Sequence, residues 1–280
     1  MIRTLVVTWL LFALTFSLGL AATPATLVVC APGYPGSTLE AQPSMSRLAA
    51  AVAAAAGSKP DFFSAIYFEQ EAAGVTRLKQ SDAALAMVPL PFFLSHEREL
   101  KLMPVLQAVQ KGGAANEPWS LVGKRGRAAG AAALDGYELI SLASYVPRFV
   151  EKVALQGYGP LPATLEYTAS PAVLSALRRV SAGENVVVLL DASQAAAVPK
   201  LPFAAEIETL KQSAPLPSVL LCTVGGRGQE AAVKRSIAAL SKLHESREGS
   251  AALDGVRLTR FVSLDVAALE RARTAFGLAP

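Results

Sequence analysis

The chain has 280 residues, of which 52% are hydrophobic and 17% charged, with a net charge of +4 and two cysteines. This length suits one large or two modest domains. The charge is spread along the chain, and its one dense basic cluster, residues 124–127, has no interleaved aromatic residues, which argues against a nucleic-acid-binding surface.

The N-terminus has the three-part pattern of a secretory signal peptide. A positively charged start precedes an apolar stretch over residues 6–20 and a run of small residues at 19–25. The pattern predicts that residues 1–25 are removed on export to the periplasm; a membrane anchor is the alternative interpretation. Lipidation of Cys30 is disfavoured because Val29 is bulky where a small residue is needed.

The two cysteines lie in predicted apolar strands that are far apart in sequence. An exported protein can form disulfides, so Cys30 and Cys222 could pair if both strands belong to one sheet. Two free thiols in the core are the favoured alternative.

The first part of the mature chain predicts the order β-α-β-α-β. Strands are predicted at residues 27–30, 62–68 and 83–88, and helices at 43–57 and 69–80. The first helix is placed by Pro43 at its start and Gly57 at its end. The run at 83–88 is followed by Pro89-Leu90-Pro91, which is typical of a buried strand. This order implies a parallel sheet with right-handed crossovers.

The second part repeats this order and then returns to the first. Strands are predicted at residues 102–109, 119–123, 138–142, 163–167, 185–190 and 218–224, and helices at 95–100, 145–156, 171–182, 229–243 and 264–276. Residues 111–116 (KGGAAN) and 213–217 (SAPLP) are predicted as joints. The sequence therefore predicts two α/β lobes, each a mixed, mainly parallel sheet flanked by helices. Lobe 1 comprises residues 26–114 with 214–280, and lobe 2 comprises residues 115–213.

Catalysis has little support in the sequence. His96 and His244 lie in charged helical segments, and no metal-binding, nucleophile-elbow or dinucleotide motif is present. We therefore predict a protein that is not an enzyme and has no cofactor or metal.

Polar residues follow several predicted strands, where the loops of α/β sheets line a ligand crevice. Ser37 follows the first strand and precedes a helix, where free backbone amides can hold an anion; an ordinary turn is the alternative. Ser144 and Ser170 are candidate N-caps of the helices that follow them. For Asp191, capping is favoured over contact with a ligand.

Several segments of the sequence, in the order in which they occur, resemble one protein family. They are the strand, Gly/Pro/Tyr loop and helix of residues 27–57, the D-x-A-x-x-x-x-P phrase of residues 82–89, the joint, aromatic and strand of residues 116–122, Leu134-Asp135-Gly136, and Tyr145 with Pro147. The chain resembles type II periplasmic solute-binding proteins and, more narrowly, the phosphate/phosphite/phosphonate-binding subunits of ABC importers. The family's S-x-T-S-G loop corresponds here to residues 140–144 (ISLAS), which lack its Thr and Gly. A family His is replaced by residues 168–170 (TAS).

The resemblance implies a monomer that closes by a hinge on a small anionic, phosphate- or phosphonate-like solute and docks on a membrane permease. Candidate ligand-binding residues are Tyr34, Ser37, Pro89 and Phe93 from lobe 1, and Ser141, Ser144, Tyr145, Ser170 and Asp191 from lobe 2. The tyrosines would wall the ligand, and the serine hydroxyls would hold its oxygens. An exported sensor or partner-binding module with a degenerate pocket is the alternative.

Overall fold

A computed structural model describes residues 25–34 and 36–278 of the chain. The predicted signal peptide lies outside these residues except for Ala25, which begins the first strand. Within the described ranges, no helix has both the length and the hydropathy needed to cross a bilayer.

The chain alternates strands and helices along most of its length. The strands are β1 (Ala25–Cys30), β2 (Phe63–Phe68), β3 (Ala83–Pro89), β4 (Met103–Gln110), β5 (Asn116–Glu117), β6 (Ser120–Lys124), β7 (Glu138–Ser141), β8 (Glu166–Ala169), β9 (Val186–Leu190), β10 (Ile207–Gln212), β11 (Leu216–Pro217), β12 (Val219–Thr223) and β13 (Leu258–Val262). The helices are α1 (Thr38–Ala55), α2 (Glu71–Leu78), α3 (Leu90–His96), α4 (Pro147–Phe149), α5 (Val173–Ala182), α6 (Ala192–Ala197), α7 (Ala231–Lys242), α8 (Arg247–Gly255) and α9 (Val266–Phe276).

Lobe 1 is built on a six-stranded sheet in the order β13-β4-β12-β3-β1-β2. β1 pairs with β2 and β3 in parallel, whereas β12 is antiparallel to β3 and β4. Every residue of β1 and β3 is buried, because helices cover both faces of the sheet at these central strands. These continuous apolar runs are the reason that the sequence predicted both strands.

Lobe 2 is built on a five-stranded sheet in the order β10-β6-β9-β7-β8. β7 pairs in parallel with β8 and β9, and β6 is antiparallel to β9 and β10. Two sheets of mixed direction with flanking helices confirm the predicted fold class.

The chain crosses between the two sheets at β5 and β11, which pair with each other antiparallel. Buried Gln107 of β4 ties this crossing to lobe 1, because its Nε2 donates to Ala115 O and to Asn116 Oδ1, both at 3.0 Å. Its Oε1 accepts a hydrogen bond from the backbone N–H of Asp265, and Asn116 Nδ2 donates to Asp265 Oδ2 at 2.6 Å. The crossing between the two sheets therefore has its own hydrogen-bond network.

The largest hydrophobic cluster runs through both lobes. It contains Phe92 and Phe276 from lobe 1 together with Phe149 and Leu189 from lobe 2. A second cluster lies within lobe 1 under α1, α7 and α8, and a third lies within lobe 2 under α5. The lobes thus share a core on the side of α3 and α9.

Helix α1 differs from its predicted bounds. It begins at Thr38, five residues earlier than predicted, and Pro43 lies inside it. Ser37 Oγ accepts a hydrogen bond from Glu40 N while the Glu40 carboxylate accepts from Ser37 N, which is a capping box. This reciprocal pair starts the helix, so the prediction that proline marks its first turn was wrong.

The helix predicted at residues 145–156 is present but shorter, over residues 147–154, and most of it is π-helical. The structure has the single turn of α4, followed by a π-helical turn over Val150–Ala154. Ser144 does not cap it, because its Oγ donates to Leu139 O at 3.3 Å. Helix α5 begins at Val173, with Ala172 rather than Ser170 at the N-cap position.

Both cysteines are free and buried. Cys30 lies on β1 and Cys222 on β12, and β3 separates these two strands in the sheet. Next-but-one strands are roughly 9–10 Å apart, which exceeds the reach of a disulfide. The favoured interpretation, two free core thiols, is confirmed.

Candidate functional site

A cavity of about 630 Å³ lies between the two lobes. Tyr34, Tyr67 and Met87 line it from lobe 1, and Leu142 and Asp191 line it from lobe 2. Known ligand pockets have volumes of about 300–1,000 Å³ and are mostly apolar with a few polar groups. Its size and its position between the lobes make this cavity the candidate ligand site.

Tyr34 connects the two walls of the cavity. Burial, and next the negative charge of Asp191, raise the pKa of Tyr34 well above its usual value, while a hydrogen bond with the Gln110 side chain opposes this shift. The Tyr34 hydroxyl is therefore neutral at physiological pH. Tyr34 thus interacts with the Gln110 side chain of lobe 1 and with the charge of Asp191 of lobe 2.

The loops that follow β1 and β7 touch each other beside the cavity. Gly33 has a φ of +79°, and a Cβ at this position would lie 3.2 Å from Leu142 O and 3.4 Å from Leu142 Cδ2. Only glycine combines this backbone conformation with so close an approach. The Leu142 side chain therefore occupies the space between the loop of lobe 1 and the loop of lobe 2.

The N-terminus of α1 is occupied by carboxylates of the chain itself. Ser37 N and Oγ donate to Glu40 Oε2 at 2.8 and 2.9 Å, and Thr38 N and Oγ1 donate to Glu69 Oε2 at 2.9 and 2.6 Å. These hydrogen bonds hold the pKa values of Glu40 and Glu69 below their usual values. Amides that could receive a ligand anion here already bind two carboxylates.

The serine hydroxyls of lobe 2 are used within the lobe. Ser141 Oγ donates to Leu189 O at 2.7 Å and accepts from Ala143 N at 3.1 Å. Ser170 Oγ accepts from Ala172 N at 3.1 Å. With the bond from Ser144 to Leu139 O described above, these contacts fix the loop backbone.

Asp191 is the N-cap of α6. Its Oδ1 accepts hydrogen bonds from Gln194 N and Ser193 Oγ, both at 2.8 Å, and Gln194 Oε1 accepts from Asp191 N. The prediction that Asp191 caps a helix is confirmed. The same residue lines the cavity.

The structure separates the predicted site residues into two groups. Tyr34, Pro89 and Asp191 line the cavity. Phe93 is fully buried in the shared core, and the Ser37 side chain caps α1. The remaining predicted residues in lobe 2 are the three serines described above and Tyr145.

Tyr145 lies on the other side of the contact between the lobes. It packs against the shared core, and its hydroxyl is buried without a hydrogen-bond partner among the described residues. Burial, followed by the charge of nearby Glu71, raises the pKa of Tyr145 well above its usual value. Tyr145 is not among the residues that line the cavity.

Sequence reasoning missed one complete wall of the cavity. It consists of Ser44 and Met45 of α1, Gln110 and Lys111 at the end of β4, and the turn at residues 255–258. Lys111 Nζ forms an ion pair with Asp254 Oδ1, and Lys111 N donates to Arg257 O at 2.9 Å. No local sequence pattern indicates this wall. The backbone of Arg257 is left-handed, with a φ of 59°, but an arginine in the sequence does not predict that conformation.

Arg257 and Lys111 supply the positive charge at the rim of the cavity. The Lys111 charge is paired with Asp254, and the side chain of Lys111 is 63% exposed. Arg257 is exposed and forms no ion pair within the described part of the chain. The negative charges that line the cavity are those of Glu40 and Asp191.

The titratable cluster nearest to this region does not resemble a catalytic centre. His96 Nε2 lies 2.7 Å from Glu71 Oε1, and this hydrogen bond raises the pKa of His96. Burial raises the pKa of the Cys30 thiol to about 12, so a thiolate nucleophile is unavailable at neutral pH. Across the described residues, no group of three or more His, Cys, Asp or Glu could hold a metal ion.

No protein-family model matches the sequence, and no curated protein is a detectable relative. Solved structures do match the fold. XAC2383 from Xanthomonas citri, solved bound to chloride ion and bound to ATP, is 14% identical with TM-scores of 0.71 and 0.70, and the match covers 91% of this chain and 98% of that chain. PhnD1 from Prochlorococcus marinus, in complex with methylphosphonate, is 12% identical with a TM-score of 0.62, over 91% of this chain and 100% of that one.

A binding protein component of an ABC phosphonate transporter from Pseudomonas aeruginosa is 11% identical with a TM-score of 0.59, over 90% of this chain and 85% of that chain. Identities this low show the fold alone. The chain has the two-lobe fold of periplasmic binding proteins, which confirms the predicted resemblance.

Proposed function

Starting from the two-lobe binding-protein fold, we propose that this chain is an exported solute-binding protein that delivers a small molecule to an ABC permease. The observation that carries the proposal is the cavity between the lobes, which Tyr34 lines from lobe 1 and Asp191 lines from lobe 2. A ligand in this position contacts both lobes only when they are close together.

The mechanism is hinge closure. A ligand shifts the equilibrium between open and closed forms only by its differential affinity for them. Tyr34 and Met87 on one wall and Asp191 and Val173 on the other supply contacts that exist together only in the closed form. The crossings β5 and β11, with the network around Gln107, supply the hinge.

The resemblance implies a phosphate- or phosphonate-like anion as the ligand, and one structural neighbour was solved with methylphosphonate. In this chain, an anion at the start of α1 would have to displace Glu40 and Glu69 from the amides of Ser37 and Thr38. Solute binding therefore has stronger support than an anionic solute.

A sensor or partner-binding module with the same fold is the second candidate. The contact between Gly33 and Leu142 favours it, because Leu142 fills space between the lobes that a ligand would otherwise use. A permease and ATPase gene pair next to this gene would support transport, whereas a neighbouring histidine kinase or cytochrome operon would support the sensor.

Thermal unfolding together with small-angle X-ray scattering tests the proposed function. The panel contains phosphate, phosphite, methylphosphonate, sulfate, ATP, small carboxylates, amino acids, and the low-molecular-weight extract of the native host. A ligand at 100 times its Kd that binds only the folded state adds about 2.7 kcal/mol of stability. We expect at least one addition to raise the melting temperature and to reduce the radius of gyration; a panel in which no addition does both would contradict solute binding.

Two serines on α1 provide a matched control. Ser44 lines the cavity, whereas Ser46 lies on the exposed face of the same helix. Ser44→Trp fills the cavity and is expected to abolish the response. Ser46→Trp is expected to preserve it.

A further inference from the structure

We infer that the ligand of this cavity has a mainly apolar body and is not a phosphate- or phosphonate-like oxoanion. This inference rests on the proposed function and names the ligand class of the same site. It follows from four features: the filled space between the loops, the occupied donors, the apolar walls and the distribution of charge.

The space between the loops of the two lobes is filled. Leu142 approaches the backbone of Gly33 closely enough that a Cβ there would lie 3.2 Å from Leu142 O. An aliphatic side chain at this point offers no hydrogen bond to an oxygen atom. The open volume lies to one side of this contact, towards α1, α8 and the end of β4.

The backbone donors at the starts of α1 and α6, beside the cavity, are already bound within the chain. At α1, the carboxylates of Glu40 and Glu69 accept hydrogen bonds from the N–H and hydroxyl groups of Ser37 and Thr38, respectively. At α6, the Asp191 carboxylate accepts a hydrogen bond from Gln194 N. A buried anion without donors is strongly disfavoured, so an oxoanion would have to break these bonds first.

Lobe 2 offers equally few donors. The hydroxyls of Ser141 and Ser144 donate to backbone carbonyls of their own lobe, and Ser170 Oγ accepts from Ala172 N. Turning the hydroxyl of Ser141 or Ser144 towards a ligand would break its bond to a backbone carbonyl. Ser170 keeps its hydroxyl proton but is not among the residues that line the cavity.

The walls of the cavity suit an apolar body. Its aliphatic surface comes from both lobes and is formed by Val29, Met45, Met87, Leu142, Val173 and Leu258. Tyr34 and Tyr67 add two aromatic rings from lobe 1. Met side chains adapt their shape, which lets such walls fit an irregular organic molecule.

The charges around the cavity disfavour an anion. Glu40 and Asp191 line it as carboxylates, and hydrogen bonds from Ser37 keep Glu40 ionised. Lys111 is already paired with Asp254, which leaves Arg257 on the exposed rim. The neutral polar groups, the Gln110 amide and the Tyr34 hydroxyl, can bind a carbonyl or hydroxyl group of a mainly apolar ligand.

Fluorescence titration with Nile red, an uncharged apolar dye, tests the ligand class, with inorganic phosphate and methylphosphonate as competitors. We expect one dye per chain, with affinity at least tenfold weaker in Ser44→Trp and unchanged in Ser46→Trp. Millimolar phosphate or methylphosphonate is expected neither to displace the dye nor to raise the melting temperature. The inference would be overturned if the dye did not bind, or if its affinity were the same in Ser44→Trp as in the unmodified protein.

A second pair of variants guards against a folding defect in Ser44→Trp. Val173 lines the cavity from α5, whereas the adjacent Leu174 is 47% exposed and is not among the lining residues. Val173→Trp is expected to weaken dye binding, and Leu174→Trp is expected to leave it unchanged.

The scattering experiment separates failure of this inference from failure of the proposed function. Lobe closure by phosphate or methylphosphonate that is lost in Ser44→Trp would overturn the apolar ligand class and leave solute binding intact. A panel in which nothing closes the lobes would overturn the proposed function itself.

Discussion

The junction between the lobes has two unlike sides. On one side, the guanidinium of Arg148 in lobe 2 lies 5.2 Å from the centroid of the Phe276 ring on α9 of lobe 1. Next to Arg148, Phe149 meets Trp119 edge to face within lobe 2, with ring centroids 5.4 Å apart. On the other side, Tyr34 and Asp191 face the cavity. One side is filled by side chains of the protein, and the other leaves room for a ligand.

This difference between the two sides indicates that one side of the interface contributes to stability and the other to ligand binding. Closely packed cores resist deformation, so the filled side, which we call the packed side, fixes the relation of the two lobes. We therefore expect closure to be a limited rotation that changes the width of the cavity while the contacts of Phe149 and Phe276 persist. The four predictions below test this division from the largest expected effect to the smallest.

Truncation on the packed side is expected to cost the most stability. Phe149 is fully buried and contacts Trp119, so Phe149→Ala should lower the free energy of unfolding by about 3–5 kcal/mol, measured by urea denaturation. Tyr34→Phe, which removes only a hydroxyl on the cavity side, should change it by less than about 1 kcal/mol. Equal losses in the two variants would contradict the division.

The hinge network is expected to give the next largest effect. Gln107 is 1% exposed and bonds Ala115 O, Asn116 Oδ1 and Asp265 N. Gln107→Ala leaves these groups without their partner and should cost about 1–3 kcal/mol in urea denaturation. Gln212→Ala removes an exposed glutamine with one long bond to Ser120 Oγ, and is the matched control. If Gln212→Ala lowered the free energy of unfolding as much as Gln107→Ala, the hydrogen-bond network around Gln107 would have no special importance for stability.

The cap at the edge of the cavity is expected to have a smaller effect. Asp191→Ala removes the acceptor of Gln194 N at the start of α6 and should destabilise the protein by about 1 kcal/mol. Asp191→Asn keeps a capping oxygen and should recover most of this loss. The prediction fails if the two variants have the same thermal stability.

The smallest effect is a pH dependence on the packed side, where the rings of His96 and Phe92 are tilted by 46° with centroids 4.6 Å apart. The hydrogen bond that His96 Nε2 donates to the Glu71 carboxylate raises the pKa of His96 above its ordinary value of 6.5. Protonated His96 therefore contributes stability that is fully present below pH 6.5 and is lost as the pH rises through the higher, folded-state pKa. Because the pair is partly exposed, the loss should be about 1 kcal/mol or less, and unfolding of His96→Gln across this pH range should lack it.

The elements that the sequence predicted best are the buried strands. β1, β3, β9 and β12 are short apolar runs bounded by turn residues, and such runs are local signals. The alternation of strands with helices then indicated parallel crossovers and two sheets. Helix starts were harder, because both Pro43 and the Ser37–Glu40 box are valid start signals, and only the pair of side-chain bonds in the structure decides between them.

The site was predicted only in part, for a physical reason. Pro89 ends β3, Asp191 directly follows β9, and Tyr34 lies in the loop after β1, so strand position alone places them near the cleft. The wall formed by Gln110 and the turn around Arg257 arises from the pairing of β4 with β13, elements almost 150 residues apart. Contacts at that separation leave no periodicity or spacing in the sequence.

The most direct test is the crystal structure of this protein purified from its native host with any ligand that accompanies it. The account predicts density for an organic molecule in the cavity, in contact with Tyr34, Met87 and Gln110, while Leu142 stays against Gly33. An oxoanion held by the amides at the start of α1 and by the hydroxyls of Ser141 and Ser144 would contradict it.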